Sequence, residues 1–471
     1  MARSAALTSL VAELGEWAAG PGPIYRQLAR AVAGAIERGA VARGTRLPAE
    51  RAVAGALAVS RGTAVAAYDL LVSDGLIERR RGSGTTVLGA AGSAYAPGQE
   101  GSALVHRLVD RSSSASTVID LSLSVLADAS DLPDLTLTTA DLLDVSPPTG
   151  LSPWGLPSLR ARLADHISNW GLASTAGQIV VTTGAQQAIS VVAACWVRPG
   201  DTVALDDPTY PGAIAAFRQA GAELIGIPMD AEGPRPDAVA EVLRRRPALL
   251  YLQSGVHSPT GVAISARRTR QLARLIAAAR VPFVEDRALA DLTWRPPAPP
   301  IAASLPGTST VVIGSLSKIF WGGLRIGFAR AEEPLALRLA RIQATRNLGT
   351  SAISQAIAER LLLDVDRTAL RVRRKLAGRA DVLQRALHAA LPGATWPDPH
   401  GGMSLWVRLP GAEAAEIAAL APRFGVAIAT PDSISVSSAY ADRVRLSFSG
   451  PSADLRRGAR RLGAAWSAVT R

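Results

Sequence analysis

The chain has 471 residues, 48% of them hydrophobic and 19% charged, so we expect a folded, soluble protein of two or three domains. One cysteine excludes an internal disulfide, and the five histidines lack metal-ligand spacing, so we expect no metal site and a cytoplasmic location. A net charge of +12 fits either a polyanionic partner or an arginine-rich proteome bias. Polar residues interrupt the apolar windows at 7–12 and 179–197, so we expect neither export nor a membrane span.

Residues 21–88 are predicted to fold as one α+β unit. Apolar residues recur every four positions from Ile24 to Ile36, which indicates a helix. A second short helix is predicted around Val53, and Ser60 is a suitable N-cap for a third. The stretch "IERRRGSGTTV" then predicts two short strands joined by a Gly/Ser turn. Three helices followed by a basic hairpin are the pattern of a winged helix-turn-helix.

Five residues of this unit are candidate DNA contacts. In a winged helix-turn-helix the third helix enters the major groove by its N-terminal end, so Arg61 and Thr63 are predicted to meet base edges or phosphates. Arg81 and Gly82 bring the wing tip to the DNA backbone, and Arg51 reaches a phosphate from the preceding helix. A merely solvated basic face is the alternative. The motifs "LPAER", "SRGT", "AY", "L..DGL" and "R.GSGT", in that order, resemble the GntR family of regulators, in which the matching positions contact operator DNA.

A composition change separates this unit from the rest of the chain. Residues 89–117 are rich in Gly, Ser and Ala and are predicted to be a linker, with one short helix near 104–109. From residue 118, the apolar runs "IVVTTG", "DTVALDDP", "ALLYLQS", "PFVEDR" and "STVVIGS" alternate with helical segments. This alternation predicts an α/β domain with a mostly parallel sheet.

Lys318 is one of only two lysines in the chain. A lysine amine, unlike a guanidinium, can lose its proton near neutral pH and form a Schiff base. In "SLSK...GLRIGF", Ser315 and Arg325 flank it at spacings that let a hydroxyl and a guanidinium hold a phosphate. Upstream, "TTGAQQA" places a turn after a strand, so the backbone amides of Ala185 and Gln186 can cradle the same phosphate.

Two further residues complete the pattern of a cofactor site. Asp286 ends the apolar strand of "VEDR", where its carboxylate can face a protonated ring nitrogen. Tyr210 in "DDPTYPG" can stack on that ring. Each feature alone is more often structural, but a phosphate cradle, a ring-nitrogen carboxylate, a stacking aromatic and a Schiff-base lysine together predict a pyridoxal phosphate (PLP) site.

Residues from about 118 to 471 resemble a fold-type I, class I aminotransferase, which is an α/β fold. The resemblance implies that Lys318 carries the cofactor as a Schiff base, that Asp286 pairs with the pyridine nitrogen and that Tyr210 stacks on the ring. It also implies that Arg445 in "VRLSFS" binds a substrate carboxylate, with a buried structural arginine as the alternative. The residues implied to hold the phosphate are Ala185, Gln186, Ser315 and Arg325.

A GntR-like head joined by a linker to an aminotransferase-like body is the architecture of the MocR subfamily. The resemblance covers nearly the whole chain and implies a cytoplasmic, homodimeric transcription regulator. Such a protein binds double-stranded operator DNA and senses PLP or an amino-acid-type effector. Within the body, a large subdomain is expected at about 160–340 and a small one at about 118–155 and 350–471.

Three positions depart from the aminotransferase pattern. Ser258 stands where Asn is usual, Leu289 where Tyr is usual, and Gly150 where a Tyr often reaches the partner subunit's phosphate. The usual Asn and Tyr donate hydrogen bonds to the cofactor's ring oxygen, so we predict a Schiff base that stays protonated at neutral pH and is poorly tuned for turnover. Trp321 replaces a usually small residue and is expected to reshape the pocket.

These departures favour a sensor over an efficient catalyst and leave a residual half-reaction open. The alternatives are a true aminotransferase that carries a DNA-binding domain, and a body that serves only to dimerise. The basic stretch 367–379 raises the prospect of a second DNA contact, but it also matches a body helix whose charges face solvent, which we favour.

Overall fold

The protein is described here by a computed structural model. It divides into two compact units, Met1–Gly101 and Ser102–Arg471. The predicted linker at 89–117, its short helix and the predicted wing tip at Arg81 and Gly82 lie outside the described residues. The described residues are 10–11, 13–14, 17–18, 23–37, 40–41, 44–73, 76–80, 84–87, 118–126, 132–133, 135–307 and 309–470.

Between residues 23 and 87, the described part of the first unit, the head, packs three helices against a small sheet. Strand β3 pairs antiparallel with both β1 and β2. Leu28, Val32, Tyr68 and Leu71 are fully buried in the head's core. The predicted order of three helices and a hairpin is confirmed. The elements are α1 (Ile24–Glu37), β1 (Arg46–Leu47), α2 (Glu50–Ala56), α3 (Arg61–Ser73), β2 (Ile77–Arg80) and β3 (Gly84–Val87).

The second unit, the body, alternates helices with strands. Pro157, Pro211 and Pro236 each open a helix, because a proline in the first turn gives up no helical hydrogen bond. The helices are α4 (Thr139–Val145), α5 (Pro157–Asn169), α6 (Ala185–Trp196), α7 (Pro211–Gln219), α8 (Pro236–Arg244), α9 (Ala266–Ala279), α10 (Glu333–Asn347), α11 (Ala352–Leu362), α12 (Val365–Ala390), α13 (Ala414–Leu420) and α14 (Ser452–Thr470). The strands are β4 (Ile119–Asp120), β5 (Ile179–Thr182), β6 (Thr202–Asp207), β7 (Glu223–Asp230), β8 (Gly233–Pro234), β9 (Leu249–Gln253), β10 (Phe283–Asp286), β11 (Thr310–Ser315), β12 (Gly327–Ala331), β13 (Ser404–Arg408), β14 (Val426–Ala427) and β15 (Arg443–Ser447).

An eight-stranded sheet organises the body, in the order β5-β12-β11-β10-β9-β6-β7-β8. The five apolar runs named above form β5, β6, β9, β10 and β11, and neighbouring strands from β11 to β7 pair in parallel. Strand β12 runs antiparallel to β5 and β11, and β8 runs antiparallel to β7. Helices cover both faces, so β9, β10 and β11 are buried along their whole length. The predicted mostly parallel sheet is confirmed.

A second hydrophobic core lies among the C-terminal elements of the body. Strands β13 and β15 form an antiparallel pair, and α12 packs along α14. Strand β4 pairs in parallel with β14, and Leu121 is buried in the same cluster as Val372 and Leu462. Residues 118–126 are therefore joined to the C-terminal part of the body. Helix α11 packs on α5, and the proposed subdomain bounds stay a prediction.

The described residues include neither a membrane-spanning helix nor a cluster of metal ligands. No described helix combines the length and the apolar character that crossing a membrane requires. Among the same residues, no group of three or more His, Cys, Asp or Glu side chains is placed to hold a metal ion.

Candidate functional site

A cavity of about 300 Å³ lies at the carboxyl ends of the parallel strands of the body. Ligands of open α/β sheets bind at this edge, where loops from several strands converge. Every cofactor and effector residue predicted from the sequence lines the cavity, although these residues are spread over about 260 positions of the chain. They are Ala185, Gln186, Tyr210, Ser258, Asp286, Ser315, Lys318, Arg325 and Arg445.

Lys318 ends a short 3₁₀ turn, Leu316–Lys318, that directly follows β11. Its Nζ donates a hydrogen bond to the carbonyl oxygen of Ser124 at 2.8 Å. Burial, and then the positive charge of Arg445, lower the pKa of Lys318 to about 8. The amine is therefore far more often neutral near physiological pH than an exposed lysine is, as a nucleophile requires.

One group of residues in the cavity wall is suited to receive an anion. Gly184 has φ of +98°, a backbone conformation that favours glycine. A Cβ there would also lie 3.2 Å from Nη2 of Arg325 and crowd that guanidinium. Arg325 donates from Nη2 to the carbonyl oxygen of Thr183 at 2.6 Å. Helix α6 starts at Ala185, and the first amides of a helix have no carbonyl partner within it. The buried Oγ of Ser317 also has no hydrogen-bond partner among the described residues. These donors fit the phosphate of PLP.

The cavity wall also presents a fixed carboxylate and an aromatic ring. Oδ2 of Asp286 accepts a hydrogen bond from the Tyr251 hydroxyl at 2.5 Å, and Oδ1 accepts one from the Ala288 amide at 2.8 Å. Burial raises the pKa of Asp286 and so disfavours its ionised form. A cationic ring nitrogen beside the carboxylate would have the opposite effect and favour ionisation. The Tyr210 ring lies against Gly212, where a Cβ would come within 2.4 Å of its Cε1. Both groups suit a pyridine ring.

Two of the predicted departures lie in the cavity wall. Leu289 lines the cavity with an apolar side chain that cannot donate a hydrogen bond. The Ser258 peptide is held by the Gln253 side chain, which donates from Nε2 to the Ser258 carbonyl at 2.8 Å and accepts from the Ser258 amide at 3.1 Å. Gly150 and Trp321 are not among the residues that line the described cavity, and Trp321 is 45% exposed.

Arg445 enters the cavity from β15 and is only 2% exposed. Its Nη2 donates to the carbonyl oxygen of Ser122 at 2.5 Å. Its charge also acts on Lys318, because it is the largest electrostatic cause of that amine's lowered pKa. The backbone carbonyls of Ser122 and Ser124, in one segment, therefore accept hydrogen bonds from both Arg445 and Lys318.

On the head, two predicted DNA contacts are exposed. Within the described part of the chain, Arg51 on α2 and Arg61 at the start of α3 form no ion pair. Ser60 caps α3, because its Oγ accepts a hydrogen bond from the Thr63 amide at 3.0 Å and lies 2.9 Å from the Thr63 hydroxyl. Thr63 therefore has a local structural partner at the predicted DNA-facing end of the helix.

Comparisons with known proteins match both units. The family "Bacterial regulatory proteins, gntR family" matches residues 24–87, and "Aminotransferase class I and II" matches residues 116–462. The HTH-type transcriptional regulator YisV of Bacillus subtilis is 31% identical over 411 residues, which are 82% of this chain and 84% of that protein. This chain belongs to the MocR-type regulators of the GntR family. The predicted pairing of a winged helix-turn-helix head with a fold-type I aminotransferase-like body is thereby confirmed.

Two further proteins are similar to this chain, one over most of its length and one over the body. The HTH-type pyridoxine biosynthesis transcriptional regulator PdxR of Corynebacterium glutamicum is 28% identical over 402 residues, 81% of this chain and 83% of that protein. The crystal structure of LysN, an α-aminoadipate aminotransferase from Thermus thermophilus, superposes with a TM-score of 0.69 at 26% identity. It covers 78% of this chain and 95% of LysN.

Sequence reasoning missed Tyr251, Ser317, Gln253 and Ser124, of which the last three line this regulator's cavity. The sequence contained a signal for Tyr251, which donates a hydrogen bond to Asp286, because Tyr251 is the one aromatic residue in the strand "ALLYLQS". Ser317 also had one, because it directly precedes Lys318. Gln253 had none, although the Ser258 peptide that it holds is only five positions away. Ser124 had none because its role depends on a contact with Lys318, 194 positions away.

Proposed function

We propose that this regulator binds pyridoxal 5′-phosphate covalently through Lys318 and that its DNA binding responds to PLP itself or to an amino-acid-type effector. The observation that carries this proposal is the convergence of Lys318, Asp286 and an anion cradle on one cavity. When bound, PLP supplies an aldehyde for an amine and an electron-withdrawing ring.

The predicted residues of the cavity, together with Ser317, each have a role in this proposal. Lys318 provides the amine, Asp286 faces the ring nitrogen and Tyr210 packs on the ring. Arg445 binds the carboxylate of the effector through its planar guanidinium. Ser258 supplies a short hydroxyl near the ring. The groups that hold the phosphate are Ala185, Gln186, Ser315, Ser317 and Arg325.

The surroundings of the ring favour sensing over turnover. Leu289 offers no hydrogen bond, and Ser258 is shorter than the side chain usual at its position. A second candidate, a working aminotransferase, is favoured by the presence of Lys318, Asp286 and Arg445 together. We expect the visible absorption of the PLP-loaded protein to shift on addition of one class of amino acid and then to remain stable, with no keto acid formed. Keto acid formed over repeated turnovers, measured by chromatography against PLP alone, would instead establish the aminotransferase.

The assembly and the location follow from the same proposal. Two heads that read two half-sites of an operator require a dimer, so we propose a cytoplasmic homodimer. The name of PdxR links that relative to pyridoxine biosynthesis. This supports PLP as one candidate signal for the present chain.

We expect Arg61→Ala to weaken operator binding by about tenfold to a hundredfold, because an arginine at a base edge contributes about 1–3 kcal/mol. The measurement is fluorescence anisotropy at several salt concentrations, on an operator selected from random DNA by the unchanged protein. The matched control is Arg374→Ala, an exposed arginine on α12 whose loss should leave affinity and salt dependence unchanged. Equal losses in the two variants would place DNA contacts on the body and contradict the assignment of Arg61.

A further inference from the structure

The cavity wall carries one positive charge in addition to those that face the cofactor. This charge can pair with one acidic group of an effector. The described wall carries four charged side chains, those of Asp286, Lys318, Arg325 and Arg445. In the proposed function, the first three serve the ring nitrogen, the aldehyde and the phosphate. Arg445 alone remains for an effector, and a single guanidinium pairs with a single carboxylate.

Apolar side chains form part of the remaining wall. Val256 is buried against the Gly401–Gly402 turn: a Cβ at Gly402 would lie 3.1 Å from Cγ1 of Val256 and 3.9 Å from Cδ1 of Leu289. Val256 and Leu289 therefore form one apolar surface, and Met403 continues it. Val125 lies on another part of the wall, close to the backbone of Gly322.

We propose that the effector is an amino acid with one carboxylate and an uncharged, aliphatic side chain, the class of leucine and valine. This inference rests on the proposed function and specifies its ligand. A second carboxylate would lose its hydration against Val256 and Leu289 without a counter-charge, which is unfavourable. A side-chain ammonium would find no free carboxylate of the described wall, because Asp286 is its only one and faces the ring nitrogen of the cofactor. The cavity of about 300 Å³ is at the small end of the range for ligand sites, which favours an aliphatic over an aromatic side chain.

Isothermal titration of the full chain loaded with PLP tests this class directly. We expect L-leucine to bind at least about tenfold more tightly than L-glutamate or L-lysine, since pockets discriminate by such factors through single apolar contacts. Val256→Ala should lower the affinity for leucine by about tenfold and leave that for glutamate unchanged. Val125→Arg should raise the affinity for glutamate by about tenfold, because it adds a cation to the wall.

Val125 is a suitable position for that change, because it is 39% exposed and an arginine there need not be buried. The control is Leu337→Arg, a residue on α10 that is 38% exposed and does not line the cavity; its affinities should match those of the unchanged chain. Circular dichroism and the Lys318-dependent absorption of each variant report whether fold and cofactor site are intact.

The outcomes separate the two proposals. Glutamate or lysine binding as tightly as leucine to the unchanged chain would overturn the aliphatic class while the proposed function stands. Failure of Val125→Arg to raise the affinity for glutamate, with fold and cofactor intact, would also overturn it. If the unchanged chain neither captures PLP nor binds amino acids, the proposed function is overturned instead.

Discussion

Lys318→Ala is expected to abolish the covalent capture of PLP and, with it, the visible absorption of the loaded protein. Alanine has no amine, and Lys375, the other lysine of the chain, lies on α12 and does not line the cavity. Mass spectrometry after borohydride reduction should show one PLP adduct per chain in the unchanged protein and none in the variant. Lys375→Ala is the matched control and should keep the adduct. An adduct that persists in Lys318→Ala would contradict the assignment.

The pH profile of capture tests the environment of the same amine. Only the neutral amine attacks an aldehyde. Burial and the charge of Arg445 favour this form and lower the pKa of Lys318 from 10.5 to about 8. The capture rate should therefore rise about tenfold per pH unit below pH 8 and level off above it. A rate that continues to rise to pH 10 would mean that the cavity does not perturb the amine.

Arg445→Ala is expected to weaken binding of an amino-acid effector by about tenfold to a hundredfold and to leave PLP capture possible. A hydrogen bond to a charged group contributes about 1.5–3 kcal/mol, and removal of the guanidinium loses it. Titration with the amino acid and with the amine that lacks its carboxylate measures the effect, which should be confined to the amino acid. Arg445→Lys should restore part of the affinity.

Arg443→Ala is the matched control for this prediction. Arg443 lies two residues earlier on β15, outside the cavity, beside Asp442. Its loss should leave effector binding unchanged. Because Arg445 also donates to the Ser122 carbonyl, a purely structural arginine is the competing explanation. Loss of thermal stability without a selective effect on the carboxylate would support that explanation and contradict the effector role.

Local patterns in the sequence were sufficient for most of the fold. The apolar runs that became β9, β10 and β11 are buried on both faces, and continuous apolar runs between helical segments are the pattern of a parallel sheet. The elements of the head were equally predictable from the sequence, because helical spacing, a capping serine at Ser60 and a Gly/Ser turn are all short-range signals. Lys318 was conspicuous because the chain otherwise uses arginine for nearly every cation.

The electrostatics of the cavity were decided by tertiary structure. The bond from Lys318 to the Ser124 carbonyl joins residues 194 positions apart, and that from Arg445 to Ser122 joins residues 323 apart. No pattern of period two or 3.6 reports such contacts, since they depend on where distant segments cross. The pKa of Lys318 depends on burial and on Arg445, and the fixed carboxylate of Asp286 depends on Tyr251. The sequence by itself therefore determined the elements and the reactive groups, whereas the tertiary structure decided which groups meet and how strongly each is perturbed.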